Sequence, residues 1–169
     1  MTYILFLYTQ ADDNMKKLLA FILLIIPLYA FSQSETTRSI EEKYEDAFGL
    51  FFYNNTLQML NQIDDESFDE LIKDIDKMKF LRINKASNGI NKEEINKYVV
   101  NYKDEDYEEM MTMRYEGMNV KILIQESNAV TTGLIFLMDD NESFSILDVK
   151  GDVPMNQLVN LMSKVKSMN

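Results

Sequence analysis

The amino-acid sequence predicts an α+β domain with a mainly antiparallel sheet and helices packed on one face. The first observation is a run of four strand-like segments between Met111 and Lys150, joined by turns too short for parallel crossovers. The second is that amphipathic helical patterns lie before and after this run, not between its strands. The third is the composition of the 169 residues, of which 46% are hydrophobic, with five Gly and two Pro, as in globular domains.

The N-terminal part is typical of a secretory signal peptide. Met15-Lys16-Lys17 is a basic start, the apolar run Leu18 to Tyr29 follows, and Ala30-Phe31-Ser32 places small residues at the −3 and −1 positions before Gln33. The apolar run is shorter than the roughly 20 residues that a membrane-spanning helix needs. We therefore expect cleavage after Ser32.

The predicted organisation of the chain follows from this signal. Residues 1–14 precede a signal that begins with its own methionine, so we expect Met15 to be the true start and 1–14 to be an upstream extension. Residues 15–32 are the signal peptide and 33–169 form a single domain. Such a protein is exported, to the periplasm or outside the cell, without a stable membrane span. The alternative is a longer, uncleaved anchor that uses both apolar runs.

Charge and composition exclude several classes of function. Lys plus Arg number 17 and Asp plus Glu number 28, and the net charge of −11 repels nucleic-acid phosphates and anionic lipid surfaces. The sequence has no Cys, which rules out disulfides, thiolate metal sites and a lipid-modified cysteine. It has no His either, so most hydrolase triads and tight zinc sites are excluded.

The N-terminal half of the domain is predicted to begin with a helix and a strand. The capping box Ser39-Ile40-Glu41-Glu42 predicts the start of the first helix. The aromatic run Phe48 to Tyr53 predicts the first strand, and Asn54-Asn55 suit the turn that ends it. Thr56 to Leu60 are expected to make one helical turn.

Two further helices and a short strand are predicted before the four-strand run. The capping box Ser67-Phe68-Asp69-Glu70 opens an amphipathic helix. Its apolar residues are Phe68, Leu71, Ile72, Ile75 and Met78. Phe80 to Asn84 is predicted as a strand, and Ala86 to Gly89 as a loop. Asn91 is expected to cap the next helix together with Glu94. The buried face of that helix is predicted to be Ile95, Tyr98, Val99 and Tyr102.

The four-strand run reads as an antiparallel meander. Met111 to Tyr115 alternates before a turn at Gly117, and Asn119 to Glu126 alternates as a half-buried strand. Val130 to Met138 is apolar on both faces and is therefore predicted to be central. Phe144 to Lys150 follows the polar turn at 139–142. After a turn at 151–154, a last amphipathic helix is predicted from Met155, Leu158, Val159, Met162 and Val165.

The chain resembles the domain-of-unknown-function 4252 family. The resemblance rests on a signal ending in Ala-Phe-Ser-Gln, an aromatic strand near the mature start, and the closing pattern Phe144-Ser145-Ile146-Leu147-Asp148-Val149-Lys150-Gly151-Asp152 before a Leu-rich helix. It covers most of residues 33–169. It implies a small exported protein, of a kind found largely in Bacteroidota, in the envelope or outside the cell. The family supplies no catalytic residues to carry over.

One candidate metal site lies in the polar turn. Asp139, Asn141 and Ser143 have the alternate spacing that opens a calcium-binding loop. However, Phe144 stands where such a loop needs glycine, and no glutamate follows at the twelfth position. A solvated hairpin turn is therefore favoured, and calcium binding is the alternative.

A second candidate metal site is formed by methionines. Met110, Met111, Met113 and Met118 cluster in an exported chain, and thioethers can bind Cu(I). Methionine also fills irregular cores, and the alternation of Met111, Met113 and Tyr115 already accounts for the spacing. The core interpretation is favoured.

Three other groups of residues each allow a structural and a functional interpretation. Ser163-Lys164-Val165-Lys166 has the spacing of an acyl-transfer serine and lysine but lacks a companion motif, which favours a charged helix face. The triplets Asp64-Asp65-Glu66 and Asp104-Glu105-Asp106 are expected at helix N-termini or in solvent, and an acid–base pair is the alternative. The aromatic residues Phe48, Phe51, Phe52 and Tyr53 are expected in the core, with a ligand groove as the alternative.

The sequence thus designates no catalytic, cofactor-binding or metal-ligating residue, and we expect no cofactor. The function expected is a non-enzymatic binding component of the cell envelope, whose partner is another envelope protein. The alternative is a carboxylate-dependent hydrolase or a periplasmic protein that handles Ca²⁺ or Cu(I).

Overall fold

The structure is a computed structural model that describes residues 33–60, 69–70 and 72–153. All of them belong to one compact unit, which begins at Gln33. The expectations for the signal peptide, for the 64–66 triplet, for the Ser67-Phe68 start of a capping box and for everything after Val153 lie outside the described residues. Among the described residues, no helix is long and apolar enough to span a membrane.

The elements alternate along the chain before ending in a run of strands. The helices are α1 (Glu35–Lys43), α2 (Asn54–Leu60), α3 (Lys85–Asn88) and α4 (Lys92–Asp104). The strands are β1 (Phe48–Tyr53), β2 (Ile75–Asn84), β3 (Glu108–Tyr115), β4 (Met118–Ser127), β5 (Val130–Asp139) and β6 (Ser143–Gly151). They form one six-stranded sheet in the order β1-β2-β6-β5-β4-β3. Every neighbouring pair is antiparallel, which confirms the predicted α+β class.

The predicted meander is confirmed. Strands β3 to β6 pair in sequence order, and β5 lies at the centre beside β6. The turn between β3 and β4 contains Gly117 at φ 84°, a conformation that glycine adopts without steric cost. In the turn between β5 and β6, the Asp140 carboxylate accepts hydrogen bonds from the backbone N–H groups of Glu142 and Ser143. These short connections hold the strands in register.

Helix α1 begins earlier than the sequence predicts. Its N-cap is Ser34, whose Oγ accepts a hydrogen bond from the backbone N–H of Thr37. The predicted cap, Ser39, lies within the helix. The prediction was wrong because Ser34 is stabilised by a partner distant in sequence, since its own N–H and Oγ–H donate to the Asp148 carboxylate of β6.

Strand β2 also begins earlier than predicted, and it replaces the end of a predicted helix. Residues 69, 70 and 72 are helical, but Ile75 and Met78 belong to the strand. A bulge between Ile75 and Lys77 adds one residue to the strand. Ile75 and Met78 therefore reach the same side of the sheet although they are three positions apart in the sequence. That spacing imitates a helix turn, which explains the error.

Around α3 and α4 the local signals act as expected, with one exception. The Asn91 Oδ1 accepts the backbone N–H of Glu94, which confirms the predicted cap of α4. Its predicted buried face is also confirmed, by Ile95, Tyr98, Val99 and Tyr102. The predicted loop at Ala86 to Gly89 is instead the short helix α3, ended by Gly89 at φ 64°. Asn84 caps this helix by accepting the N–H of Ser87.

The sheet has apolar clusters on both faces. On one face, which we call the helix face, α1 and α4 cover the core. That cluster contains Ile40, Tyr44, Leu81, Ile83, Ile90, Ile95, Tyr98, Val99, Tyr102, Tyr107, Leu123, Ile135, Leu137, Phe144 and Ile146. On the opposite face, α2 contributes Leu57 to a cluster with Ile72, Ile75, Val120, Ile122, Leu134, Phe136, Val149 and Val153. The predicted packing of helices on one face therefore holds for α1 and α4, and α2 adds to the other.

Candidate functional site

The most exposed apolar surface of the described sheet is its edge strand β1. Phe48 and Tyr53 are 57% and 61% exposed, and Leu50 and Phe51 are 41% and 39% exposed. Several large exposed apolar side chains on one short strand are uncommon on a monomeric domain and are typical of an interaction surface. We call residues Phe48–Tyr53 the β1 edge.

The two edges of the sheet differ in how they are protected. The opposite edge, β3, carries Glu108, Glu109 and Arg114 and has a bulge between Glu109 and Met111. Charges and bulges of this kind discourage the addition of another strand. The described β1 has no charged residue, no Pro and an unbroken register against β2. The β1 edge is therefore the end of the sheet that can accept a further strand.

The side chains of β1 divide between the two faces of the sheet according to their partners in β2. Gly49 and Phe51 pair with Leu81 and Lys79 on the helix face, where Tyr53 also lies. Phe51 and Tyr53 make an edge-to-face contact with ring centroids 4.6 Å apart. Phe48, Leu50 and Phe52 lie on the opposite face, and only Phe52 of these packs against the cluster there.

A salt bridge between β2 and α1 lies on the helix-face side of the β1 edge. The Lys79 ammonium is bonded to the Glu41 carboxylate of α1 and lies 5.4 Å from the centre of the Phe51 ring, a cation–π contact. A Cβ built on Gly49 would lie 3.9 Å from Glu41 Oε1 and 3.5 Å from Leu81 Cδ2. A Cβ at Gly49 would thus be accommodated without a clash, in van der Waals contact with Leu81 and close to the Glu41 carboxylate.

The prediction that the β1 aromatic residues are core was wrong for Phe48, Phe51 and Tyr53. Their strand-forming composition placed the strand correctly, but a strand at the end of a sheet has a neighbour on one side only. That position is set by the strand order, since β6 and not β1 continues the sheet beyond β2. The sequence of β1 itself contains no pattern that would reveal this strand order.

The methionine cluster is divided by the structure. Met113 and Met118 pack against the apolar cluster opposite the helix face, as the core interpretation predicts. Met110 and Met111 are instead exposed, at 39% and 37%, on the β3 edge. The core interpretation was therefore wrong for these two residues.

A second notable group is the buried polar cluster beneath the start of α1. The Asp148 carboxylate is completely buried, and its Oδ2 accepts hydrogen bonds from Ser34 N at 3.2 Å and Ser34 Oγ at 3.0 Å. The Thr37 and Tyr102 hydroxyls are 2.8 Å apart beside it. This network ties the first turn of α1 to the centre of the sheet.

Asp148 is incompletely paired. Its Oδ1 and the hydroxyl of Tyr107 are buried with no hydrogen-bond partner among the described residues. Burial raises the pKa of the Asp148 carboxyl above its ordinary value, because the charged form loses its hydration. The nearby Lys150 ammonium opposes this shift, while burial lowers the pKa of Lys150 itself.

The space for this cluster depends on a glycine. A Cβ on Gly133 would lie 2.9 Å from the Tyr107 hydroxyl, 3.1 Å from Lys150 Nζ and 3.2 Å from Gln125 Oε1. In the structure Lys150 Nζ donates to Gln125 Oε1 at 2.9 Å and lies 4.9 Å from the centre of the Tyr107 ring. Through the hydrogen bonds between Ser34 and Asp148, the cluster positions the start of α1 against β6.

The acidic candidates are also engaged in structural contacts. Glu105 accepts hydrogen bonds from the backbone N–H groups of Glu35 and Thr36, so it binds a helix N-terminus as predicted, although the helix is α1. Asp139 pairs with Lys85 at 2.6 Å, and Asp140 holds its own turn. Among the described residues, no group of three or more acidic side chains could hold a metal ion. The predicted hairpin turn accounts for this segment.

Comparison with known proteins identifies one family. A family model described as "Domain of unknown function (DUF4252)" matches residues 49–161, which is more than half of the chain. The matched region includes nearly all of the β1 edge and strands β2 to β6. No curated protein and no solved structure matches the chain.

Proposed function

The chain belongs to the domain-of-unknown-function 4252 family, and from that premise we propose that it is an exported, non-enzymatic protein of the cell envelope that acts by binding another protein molecule through the β1 edge. The observation that carries this proposal is the contrast between the two sheet edges. The β3 edge is charged and bulged, whereas β1 is neutral, regular and covered with exposed aromatic and aliphatic side chains.

Strand addition is the binding mode that such an edge supports. The outward N–H and C=O groups of an edge strand form main-chain hydrogen bonds with an added strand, and alternate side chains on each face determine which strand fits. At the β1 edge, Phe51 and Tyr53 supply contacts on the helix face, and Phe48 and Leu50 supply them on the other. The partner is therefore an extended segment with apolar side chains on both faces.

The arrangement of acidic groups supports a non-enzymatic role. Asp148, the carboxylate most strongly affected by burial, lies beneath α1 and is bonded to Ser34, away from the exposed surface. Glu105 is occupied by backbone N–H groups of α1. General acid–base catalysis needs a carboxylate that substrate can reach, and the buried Asp148 does not meet that requirement.

Export is supported by the sequence and by where the domain begins. The signal predicted at residues 15–32 ends at Ser32, and the compact unit begins at the next residue, Gln33. A domain that starts directly after the expected cleavage site loses none of its own residues when the signal is removed.

The proposal is tested by photo-crosslinking in the native cell. A photoreactive residue replaces Leu50 on the β1 edge, or Met110 on the β3 edge, which is exposed to a similar extent, at 39% against 41%. We expect a protein adduct in the envelope fraction for the Leu50 position and none for Met110. The intact mass of the recovered protein is expected to begin at Gln33.

Two results would contradict the proposal. Equal adduct yields at positions 50 and 110, or no adduct at either, would remove the β1 edge as the binding surface. A mass that retains Met15, with the protein in the cytosol, would remove export and the envelope location.

A further inference from the structure

Going further with the proposed function, on which this step rests, we infer that the strand that adds to the β1 edge is β1 of a second copy of this chain, antiparallel, with Phe51 on the two-fold axis. The six-stranded sheet then continues into that of the partner molecule. The register follows from three features of β1 and its surroundings.

The first feature is the match between Gly49 and Tyr53. A two-fold axis perpendicular to the sheet keeps each face on its own side, so residues that oppose each other must belong to the same face. With Phe51 opposite Phe51 of the second copy, Gly49 of each copy opposes Tyr53 of the other. The Tyr53 ring, the most exposed aromatic ring of the strand, then packs over the Gly49 backbone, where no side chain intervenes.

The second feature is charge. Within the described β1 no side chain is charged, so two copies of an acidic protein with net charge −11 can approach at this strand without placing like charges opposite each other. The Glu41 carboxylate lies beside Gly49, and Lys77 of β2 lies next to Tyr53 on the same face. In the proposed register, Tyr53 of one copy lies opposite Gly49 of the other. Lys77, which lies beside Tyr53, therefore comes close to the Glu41 carboxylate of the other copy. The two-fold axis generates a second, identical contact.

The third feature is the opposite face. There Leu50 opposes Phe52 of the second copy, which places an exposed aliphatic side chain against a ring that already packs on the apolar cluster. The same register therefore joins apolar groups on both faces. An unrelated partner would need to supply a large ring opposite Gly49, whereas a second copy carries one in Tyr53.

Cysteine crosslinking of the full chain tests this register, because the sequence contains no Cys. In an antiparallel pair, opposed Cα atoms are about 4.5 to 5.5 Å apart, within the range for a disulfide. Under mild oxidation, Phe51→Cys is expected to form a covalent dimer. The Tyr53→Cys variant is expected to form at least about ten times less covalent dimer, because the two copies of residue 53 are roughly 13 Å apart along the strands.

A mixture of two variants provides an independent check. Gly49→Cys and Tyr53→Cys chains, each monomeric alone on a non-reducing gel, are expected to crosslink to each other when mixed.

In solution the unmodified chain is expected to have the mass of a dimer by light scattering. Phe51→Lys is expected to convert it to a monomer by opposing two ammonium groups, whereas Met111→Lys on the β3 edge leaves the dimer intact. Circular dichroism confirms that each variant is folded.

The outcomes separate this inference from the proposed function. The inference is overturned if the chain is monomeric and its Phe51→Cys variant crosslinks no faster than its Tyr53→Cys variant. The proposed function would still be upheld in that case if the photo-adduct formed at position 50 in cells contains another protein. Crosslinking at Leu50→Cys in place of Phe51→Cys overturns the register. If no adduct forms at β1 in cells and no dimer forms in solution, both are overturned.

Discussion

Asp148 shows how one residue connects the start of the domain to the end of its sheet. It lies in β6, yet it accepts hydrogen bonds from the backbone N–H and the Oγ of Ser34 at the start of α1. Its burial would be unfavourable without these donors, because a carboxylate that leaves water loses its hydration. The remaining oxygen, Oδ1, has no partner among the described residues, so this compensation is incomplete.

Replacing Asp148 by Asn is expected to change how stability depends on pH. The folded-state pKa of Asp148 is raised, so the protonated carboxyl stabilises the folded state. This contribution is fully present below the pKa that Asp148 has in the unfolded chain, about 4. It is lost as the pH rises through the pKa that Asp148 has in the folded protein. The Asn variant has no such loss. Its free energy of unfolding should therefore increase relative to that of the wild type as the pH rises above about 4.

The measurement is chemical denaturation across this pH range. Lys150, Tyr102 and Tyr107 lie close to Asp148 and are present in both proteins, so the comparison reports the removal of the Asp148 carboxyl together with its effect on these neighbours. Asp152→Asn, at an exposed carboxylate, is the control for the loss of one negative charge. Parallel curves for Asp148→Asn and the wild type would show that the buried carboxyl does not titrate with folding.

The burial of Asp148 was not predictable from β6 alone. The alternation of the strand places Asp148 on the same face as Phe144 and Ile146, but a carboxylate at the end of such a row usually marks an exposed position. What buries it is α1, which is more than a hundred residues earlier in the chain. No local pattern reports that contact.

At the scale of elements, the two serines near α1 provide a direct test of which one caps it. Ser34→Ala removes the acceptor for Thr37 N–H and one donor to Asp148, and we expect it to lower the free energy of unfolding by about 1–2 kcal/mol. Ser39→Ala, within the exposed part of the helix, should change it by less than about 0.5 kcal/mol. Urea denaturation of both variants at one pH measures the difference.

Equal losses for Ser34→Ala and Ser39→Ala would contradict the observed cap. A larger loss for Ser39→Ala would mean that the helix starts where its sequence signal first suggested. The comparison is well matched, since both changes remove the same hydroxyl and add the same helix-forming methyl group.

Elements were predictable where a single local signal determined them. The strands of the meander and the cap of α4 at Asn91 depend on alternation and on one side-chain contact, and both were predicted. The predicted helix through Ile75 and Met78 failed because a β-bulge gave a strand the spacing of a helix. The exposure of Phe51 could not be predicted, because it depends on the place of β1 in the sheet.

At the scale of the whole molecule, the strand order predicts a gradient of backbone protection. Strands β6 and β5 are paired on both sides at the centre, while β1 and β3 are paired on one side. We expect amides of β6 to exchange with solvent at least about ten times more slowly than those of β1 in dilute protein, because edges open locally. Hydrogen exchange followed by mass spectrometry measures this.

Protein concentration provides the control for that gradient. If β1 pairs with a second copy, its protection should rise as the concentration increases, while that of β3 stays constant. Protection of β1 equal to that of β6 even in dilute protein would contradict the edge position of β1. If the protection of β1 does not depend on protein concentration, only the proposed self-pairing is contradicted, and the edge position of β1 is not.

The central place of β6 also determines when the domain can fold. Among the described strands β6 comes last in the chain, yet it alone joins the β1–β2 pair to the β3–β5 meander. Until β6 leaves the ribosome, the nascent polypeptide contains two unconnected groups of strands, and a two-stranded group is marginally stable at best. The six-stranded sheet can therefore form only after β6 has been synthesised. A polypeptide that has not yet completed its sheet is the form in which a narrow translocation channel can carry the proposed exported protein.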